Sequence, residues 1–306
     1  MQRKNIEKKP LKGKLIGVFG KGGAGKSTLT VLLAQTLRKR GYSVCVLDAD
    51  STNLGLFQIF DIPRSPTPLI DYFGGMVFSG GAVTCPVDDP TPLAAAEIEL
   101  ETLSPEYYAR SPEGIILFVA GKIGDQGPGA GCDGPIAKIA RDFRIYIQDE
   151  LPVTLIDFKA GFEDTARGVL TSLDSAIVVV DPTIASVELA ANMKHMVEQI
   201  KADVLPATAH LENPELIAWA NKIFTEAYIQ DVWFVLNRIQ GAEEEEYLRE
   251  RLGEKGIEPV GVIYQTPSIS LSWLKGTPIR SDDALIEVQK VLDSLENAEQ
   301  VARERG

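Results

Sequence analysis

The residues best suited to binding phosphate lie in one glycine-rich stretch near the start of the chain. Gly20, Gly25, Lys26 and Ser27 follow the spacing G-x-x-x-x-G-K-[ST], between two apolar runs. Backbone N–H groups of such a loop point at phosphate oxygens, helped by the dipole of the following helix. Lys26 is expected to reach the terminal phosphates and Ser27 to bind Mg²⁺. The predicted contacts of this phosphate loop are Gly20, Lys21, Gly22, Gly23, Ala24, Gly25, Lys26, Ser27 and Thr28.

Two aspartates at the ends of apolar runs are expected to face this loop. Asp50 ends the run SVCVLDAD, and Asp157 ends the run LPVTLID. Ligand groups gather at the carboxyl ends of parallel strands, so both side chains are predicted near the phosphates. Asp157 fits the pattern of a carboxylate that holds Mg²⁺ through water, and Asp50 and Ser27 complete the predicted magnesium set. The alternative is that each aspartate only caps the next element.

The order of strands and helices predicts an α/β fold of the P-loop NTPase type, with a mostly parallel sheet and helices on both faces. Further buried strands are expected at Glu113–Lys122, at the start of Ser175–Met193 and at Asp231–Ile239. The intervening sequence is mostly helical in pattern. Gly161 lies in the KAGFED run after Asp157 and is expected to move when a γ-phosphate is present. After Pro182, Ser186 is expected to start or cap a helix.

The chain is expected to form one domain, because its sequence contains no internal repeat or clear linker. Residues 1–13 are expected to form a basic lead-in, and residues 14–298 the nucleotide-binding domain. Residues 60–113 are rich in Pro and Gly, and we interpret them as a variable insertion that carries partner contacts. Within the insertion, LIDYFGG predicts a short helix, and LAAAEIELETL predicts a helix or an irregular segment.

Composition and charge argue against several classes of partner. The 306 residues carry a net charge of −12, and no Lys/Arg cluster is seen beyond the lead-in, so nucleic acid is not an expected partner. No apolar run is long enough to span a bilayer, and the acidic C-terminal stretch does not predict a membrane-binding helix. The basic N-terminus lacks the apolar core of a signal peptide, and three cysteines are too few for a disulfide framework. A cytoplasmic location is therefore expected.

The residue after the first glycine of the loop narrows the class of nucleotide-binding protein to which the chain could belong. Lys21 gives the run K-G-G-x-G-K-[ST], which resembles the deviant Walker A motif of the MinD, ParA, CooC and nitrogenase-iron-protein (SIMIBI) superfamily. The resemblance extends from Lys14 to about Pro278. It implies an ATPase in which Lys21 reaches the partner's nucleotide across a homodimer formed on ATP binding. It also implies catalytic roles for Lys26 and for Asp50, which would position the attacking water.

Several runs in the middle of the chain resemble the CooC-type nickel-insertion ATPases of carbon monoxide dehydrogenase. They are DYFGG, CPVDDPTPL, AGK and a G-x-G-C that ends at Cys132. This resemblance implies a client metalloenzyme and a metal, Ni²⁺ or Zn²⁺, shared at the dimer interface. The type carries C-x-C here, whereas this chain has Cys132, Asp133 and Gly134. Two Cys132 sulfurs, with Asp133 or water, would complete only a weak site, and a leftover surface cysteine is the simpler alternative.

Two other activities within the superfamily remain open. One is a partner-positioning switch of the MinD/ParA kind that uses no metal. The other is an iron–sulfur reductase of the nitrogenase type, which the cysteine count disfavours because no cysteine follows Cys132. Cys45 is expected in the core, and Cys85, before a proline, is expected to be exposed.

The base of the nucleotide is expected to contact the C-terminal third of the chain. The resemblance implies that Asn237, which ends the run DVWFVLN, binds the adenine. Its amide carries the donor and acceptor that an adenine edge requires, although a simple turn asparagine would look the same. The resemblance further implies that the backbone of Gln265, Thr266 and Pro267 borders the adenine.

Overall fold

The chain folds around one large sheet, and the computed structural model describes residues 9–122 and 132–305. The strands are β1 Leu15–Gly20, β2 Val44–Ala49, β3 Glu97–Glu99, β4 Ala109–Arg110, β5 Ile116–Val119, β6 Arg144–Tyr146, β7 Val153–Phe158, β8 Ser175–Val180, β9 Asp231–Ile239 and β10 Gly261–Tyr264. The helices are α1 Lys26–Lys39, α2 Leu56–Ile59, α3 Leu69–Tyr72, α4 Gly134–Asp142, α5 Glu163–Ala166, α6 Ile184–Lys201, α7 Pro214–Thr225, α8 Ala242–Gly253, α9 Pro267–Lys275 and α10 Asp282–Arg305.

The main sheet has eight strands in the order β10-β9-β8-β1-β7-β2-β5-β4. All neighbouring pairs are parallel except β4 with β5, which is antiparallel. The phosphate-loop strand β1 lies between β7 and β8, and β7 separates β1 from β2. Since parallel strands all end at the same edge, the segments after β1, β2, β5, β7 and β8 meet there. This confirms the predicted fold class.

Alternate residues of the central strands enter two separate cores. Leu15 and Phe19 of β1 belong to one cluster, which also takes residues of α4, α6 and α8. Ile16 and Val18 belong to the other, which takes residues of α1, α2 and α10. Helices therefore cover both faces, as a parallel sheet with apolar side chains on both sides requires.

The structure bears on two predictions about local elements. Of the two alternatives for LAAAEIELETL, the α-helix is wrong: the run is largely irregular, Glu97–Glu99 forms β3, which pairs with β6 in a small parallel sheet, and Leu100–Thr102 is one 3₁₀ turn. Ser186 is not the cap of α6, because Thr183 is the N-cap and its hydroxyl accepts the Ser186 N–H. The predicted short helix in LIDYFGG is present as α3. The boundaries assigned to the lead-in, the domain and the insertion at 60–113 remain predictions.

None of the helices in the described ranges combines the length and the apolar character needed to cross a membrane.

Candidate functional site

The phosphate loop connects β1 to α1 through backbone that only glycine adopts readily. Gly20, Gly23 and Gly25 have φ angles of 152°, 80° and 96°. A Cβ on Gly25 would lie 2.1 Å from Nδ2 of Asn237, and one on Gly20 would lie 2.7 Å from the Val179 carbonyl oxygen. Both contacts are closer than atoms tolerate, so these two positions need glycine for space as well as for conformation.

Two side chains from the end of β9 hold the loop in place. Asn237, 4% exposed, donates its Nδ2 hydrogen to the Ala24 carbonyl at 2.7 Å. Arg238 donates from Nη1 to the Gly23 carbonyl, also at 2.7 Å, and has a left-handed φ of 64°. The Asn237 amide, predicted to contact adenine, therefore binds the phosphate loop in this structure. Its predicted role toward the base stays a prediction.

Ser27 and Asp157 form a corner that suits a divalent cation. The Ser27 hydroxyl donates to Oδ2 of Asp157 at 2.6 Å and accepts from Nδ2 of Asn53 at 3.1 Å. Asp157 is fully buried, and its Oδ1 has no hydrogen-bond partner among the described residues. Burial raises the pKa of Asp157 to about 6. A buried carboxylate oxygen without a partner, beside a hydroxyl, fits Mg²⁺, which takes few protein ligands and keeps water and phosphate oxygens.

A lysine that the sequence reading overlooked lies beside Asp48 of β2 and Asp50, which follows that strand. Lys122 donates from Nζ to Oδ2 of Asp48 at 2.8 Å and to the carbonyl of Asp50 at 2.6 Å. Burial raises the pKa of Asp48 to about 7, and the ammonium of Lys122 opposes that rise. Asp48 is directly opposite Asp157 in the β2–β7 register. Lys122 therefore offsets part of the negative charge at this edge of the sheet.

Asp50, the predicted water-positioning residue, is held by its own turn in this structure. Its Oδ1 accepts hydrogen bonds from the Thr52 backbone at 2.9 Å and the Thr52 hydroxyl at 2.7 Å. This is the capping geometry that the sequence left open as the alternative. Asp50 remains partly exposed at the same edge as the phosphate loop, so its catalytic role stays a prediction.

The two lysines of the loop lie in different surroundings. Lys26 is only 6% exposed, and its positive charge opposes the rise in the pKa of Asp157. Lys21, predicted to reach a partner's nucleotide, is instead 3.4 Å from Asp181 of its own chain. Burial disfavours the Asp181 anion, but hydrogen bonds from Ser186 and Thr183, together with Lys21, outweigh burial and lower the pKa. Asp181 is therefore a stable anionic partner for Lys21.

A cavity of about 310 Å³ adjoins the phosphate loop on the side of β9 and β10. Its lining combines backbone, amide, apolar and aromatic groups, the mixture expected of a ligand site. Gln265 and Thr266 line it, whereas Pro267 begins α9. The full lining is Gly23, Gly25, Thr28, Asn237, Arg238, Ile263, Tyr264, Gln265, Thr266, Ile269, Ser270 and Trp273.

Cys132 lies two residues before α4, and its Sγ accepts the Gly134 N–H at 3.4 Å. Cys85, expected at the surface, is only 9% exposed, because it packs so closely on Gly134 that a Cβ there would lie 2.6 Å from its Sγ. Cys45 is fully buried, as expected. Within residues 9–122 and 132–305, no group of three or more His, Cys, Asp or Glu side chains could hold a metal. The glycines of the G-x-G-C run lie outside these residues.

Asp133, the residue after Cys132, bonds to the segments that follow Asp50 and Asp157. Asp133 accepts a hydrogen bond from the Ser51 hydroxyl at 2.5 Å, and it forms an ion pair with Lys159. Ser51 follows Asp50, and Lys159 lies two residues after Asp157. The backbone N–H of Gly161 also bonds to the Gly20 carbonyl, so the segment after β7 contacts the phosphate loop directly.

Sequence reasoning overlooked Lys122, Asn53 and Asp133 as members of this network. Lys122 follows β5 as the aspartates follow their strands, so the strand-end rule could have placed it here. Asn53 is three residues after Asp50 and could have been found in the same way. Nothing in the local sequence marks Trp273, which α9 brings to the cavity.

Comparison with known proteins agrees with this geometry. Residues 16–279 match the family described as the CobQ/CobB/MinD/ParA nucleotide-binding domain. An uncharacterized ATP-binding protein of Methanocaldococcus jannaschii is 33% identical over 190 residues, which cover 60% of this chain and 74% of that protein. The carbon monoxide dehydrogenase accessory protein CooC of Rhodospirillum rubrum is 25% identical over 224 residues, which cover 73% and 78%.

The fold is also that of a solved relative. The septum site-determining protein MinD of Pyrococcus horikoshii, complexed with Mg-ADP, superposes with a TM-score of 0.56 at 17% identity, over 94% of this chain and 98% of that one. The family matches most of the chain, and the phosphate loop that connects β1 to α1 carries the motif for binding ATP. The chain belongs to the CobQ/CobB/MinD/ParA nucleotide-binding domain family and is a P-loop ATPase.

Proposed function

We propose that this protein is an ATP-driven dimerising switch that serves as an accessory factor in the maturation of a metalloenzyme, of the nickel-containing carbon monoxide dehydrogenase kind. The observation that carries the proposal is the position of Asp133. It bonds to Ser51 and Lys159, which follow the two candidate nucleotide carboxylates, and it is the chain neighbour of Cys132. The 25% identity to an accessory protein of carbon monoxide dehydrogenase supports the same role.

In the proposed reaction, the loop amides and Lys26 bind the β- and γ-phosphates and stabilise the charge that develops on them. Ser27 and Asp157 would hold Mg²⁺, which supplies charge neutralisation to the phosphates when it is bound. Asp50 positions the attacking water after leaving its turn with Thr52. Asn237, Gln265, Thr266 and Pro267 border the adenine.

Lys21 gives the proposed switch its dependence on a second subunit. Its present partner, Asp181, is in the same chain. We propose that Lys21 leaves Asp181 for the nucleotide of the other protomer when ATP is bound, so that hydrolysis releases the dimer. In this proposal the protein works in the cytoplasm on its client, and neither nucleic acid nor membrane takes part.

The metal assignment is the finer part of the proposal. Cys132 is half-buried, and the proposed site for Ni²⁺ or Zn²⁺ uses the Cys132 thiolates of two protomers. Each Cys132 contributes one thiolate to the proposed site, so the two-thiolate set would exist only in the dimer. Soft thiolate ligands suit both metals.

The test is metal content per protomer together with mass in solution, on protein loaded with Ni²⁺ or Zn²⁺ under ADP and under ATP. About half a metal per protomer, found with ATP and lost in Cys132→Ser, is the expected result. Cys45→Ala is the matched control, because that buried thiol lies within β2 and should not change metal content. ATP-dependent dimers without metal would refute the role as a metal carrier and favour a partner-positioning switch of the MinD/ParA kind.

A further inference from the structure

Trp273 and Thr28 are joined across 245 positions of the chain. The indole Nε1 of Trp273 donates to the hydroxyl oxygen of Thr28 at 2.9 Å. Thr28 is in the first turn of α1, directly after Ser27, and Trp273 is in α9, after the predicted base loop. Both residues line the cavity beside the phosphate loop.

The polarity of this hydrogen bond is fixed by chemistry. An indole N–H can only donate, whereas a hydroxyl has one donor and two acceptor positions. The Thr28 oxygen must therefore act as the acceptor, which leaves its own hydrogen free for another partner. Among the described residues, the Thr28 hydroxyl donates to no protein acceptor. A phosphate oxygen is an acceptor only and would take this hydrogen.

The packing around α9 holds the indole in place. Trp273 packs against the core on the α1 side of the sheet. A Cβ on Gly55, just before α2, would lie 3.8 Å from the indole Cζ3. Gly276 ends α9 with a φ of 61°, and a Cβ there would lie 2.8 Å from Oε1 of Gln58. The indole therefore contacts the starts of α1 and α2, and its N–H points at the Thr28 oxygen in this structure.

We infer that Trp273 is a positioning residue for the nucleotide: it orients the Thr28 hydroxyl as a donor to a phosphate oxygen of ATP. The inference rests on the nucleotide site proposed above. It assigns Trp273 a part in binding and none in the bond-breaking step, because Thr28 lies on the cavity side of the loop, away from the Asp157 corner that Ser27 contacts. Its loss should therefore raise KM and leave kcat nearly unchanged.

The test is a double-mutant cycle between Trp273→Phe and Thr28→Val, measured as KM and kcat for ATP. Either single variant should lose the hydrogen bond to the charged phosphate, and KM should rise about tenfold. The two changes should not add, because Trp273 acts through Thr28. Thr28→Ser keeps the hydroxyl and should recover most of the affinity for ATP that Thr28→Val loses. Trp233→Phe is the matched control, since Trp233 lies in β9, outside the cavity lining.

A second measurement does not depend on the folding of Trp273→Phe. In a Trp219→Phe, Trp233→Phe background, Trp273 is the one remaining indole, and its emission is expected to change as ADP is titrated. Unchanged emission, or fully additive effects in the cycle while the wild type binds ATP, would overturn the inference. A wild type that does not bind ATP would instead refute the proposed site itself.

Discussion

Ser27 and Asp157 are 130 positions apart in the chain, yet a hydrogen bond of 2.6 Å joins the Ser27 hydroxyl to Oδ2 of the carboxylate. The bond connects the start of α1 to the end of β7, the strand beside β1. It leaves the second carboxylate oxygen, Oδ1, without a partner in the described part of the chain. One carboxylate oxygen is thus bonded to the protein, and the other remains to bind a cation.

Ser27→Ala is expected to weaken both the fold and the response to magnesium. The change removes the hydroxyl that bonds to Asp157, so a fully buried carboxylate loses its partner. We expect a loss of about 1–3 kcal/mol in the free energy of unfolding. The Mg²⁺ concentration needed for half-maximal ATP hydrolysis should rise several-fold. Urea titration and Mg²⁺ titration of activity measure the two effects, and an unchanged Mg²⁺ dependence would contradict the assignment of this corner.

Lys26→Ala is expected to lower ATP hydrolysis at least a hundredfold, because a buried cation that stabilises transferring phosphoryl oxygens is lost. Lys39→Ala is the matched control: Lys39 is exposed at the other end of α1 and should leave turnover unchanged. Phosphate release by each purified variant is the measurement. Turnover that survives in Lys26→Ala would show that the phosphate loop has been assigned wrongly.

Gly25→Ala is expected to abolish nucleotide binding. The new Cβ would fall 2.1 Å from Nδ2 of Asn237, and the residue has a φ of 96°. The loop must then move away from β9, which pulls the Ala24 carbonyl off Asn237. Gly253→Ala, at the end of α8, has open space around its Cβ and should change stability by less than about 1 kcal/mol. Calorimetric titration with ADP measures nucleotide binding by each of the two variants.

Lys122→Met is expected to destabilise the protein by about 3–5 kcal/mol at alkaline pH, because Asp48 is left buried as an unpaired anion. The pKa of Asp48 is about 7 with the lysine present and should rise when the cation is removed. Below that value Asp48 can take up a proton, so the loss should be smaller at pH 6 than at pH 8.5. Equal losses at both pH values in urea titrations would refute the pairing. Lys122→Arg should retain most of the stability.

Asp157 gives a pH dependence of stability in the metal-free protein. Its pKa is about 6 in the folded state, against about 3.9 for an ordinary aspartate. The folded state binds the proton more tightly, so this stabilisation is present below pH about 4 and is lost as pH rises through about 6. Asp157→Asn removes the titration. Relative to the wild type, it should gain on the order of 2 kcal/mol between pH 4 and pH 8. Urea titration at each pH measures it, and a constant difference would contradict the raised pKa.

The strand-end rule accounts for what the sequence could predict of the site. Asp50 and Asp157 were placed at one edge because each follows an apolar run, and β2 and β7 are indeed adjacent. The same rule covers Lys122 after β5. The rule places residues at an edge, but it says nothing about their hydrogen bonds. The sequence could therefore leave a turn at Asp50 only as an alternative, and it could not predict the pairing of Lys21 with Asp181.

Contacts between distant segments were beyond the reach of local patterns. Cys85 was expected at the surface because a proline follows it, yet Gly134 leaves just enough space for its sulfur to be buried. The alanine- and glutamate-rich run around Glu97–Glu99 favours a helix by propensity, but pairing with Arg144–Tyr146 overrides it. In both cases the partner lies far along the chain, so tertiary contacts rather than local propensity decide the structure.

Asp133 would couple the proposed ligand site at Cys132 to the nucleotide site, and such a coupling is thermodynamically reciprocal. Its bonds to Ser51 and Lys159 join it to the segments that follow Asp50 and Asp157. If nucleotide binding changes the free energy of ligand binding at Cys132, ligand binding at Cys132 changes the free energy of nucleotide binding by the same amount. Occupancy of the thiol would then change the affinity for ATP as much as ATP changes the affinity of the thiol for its ligand.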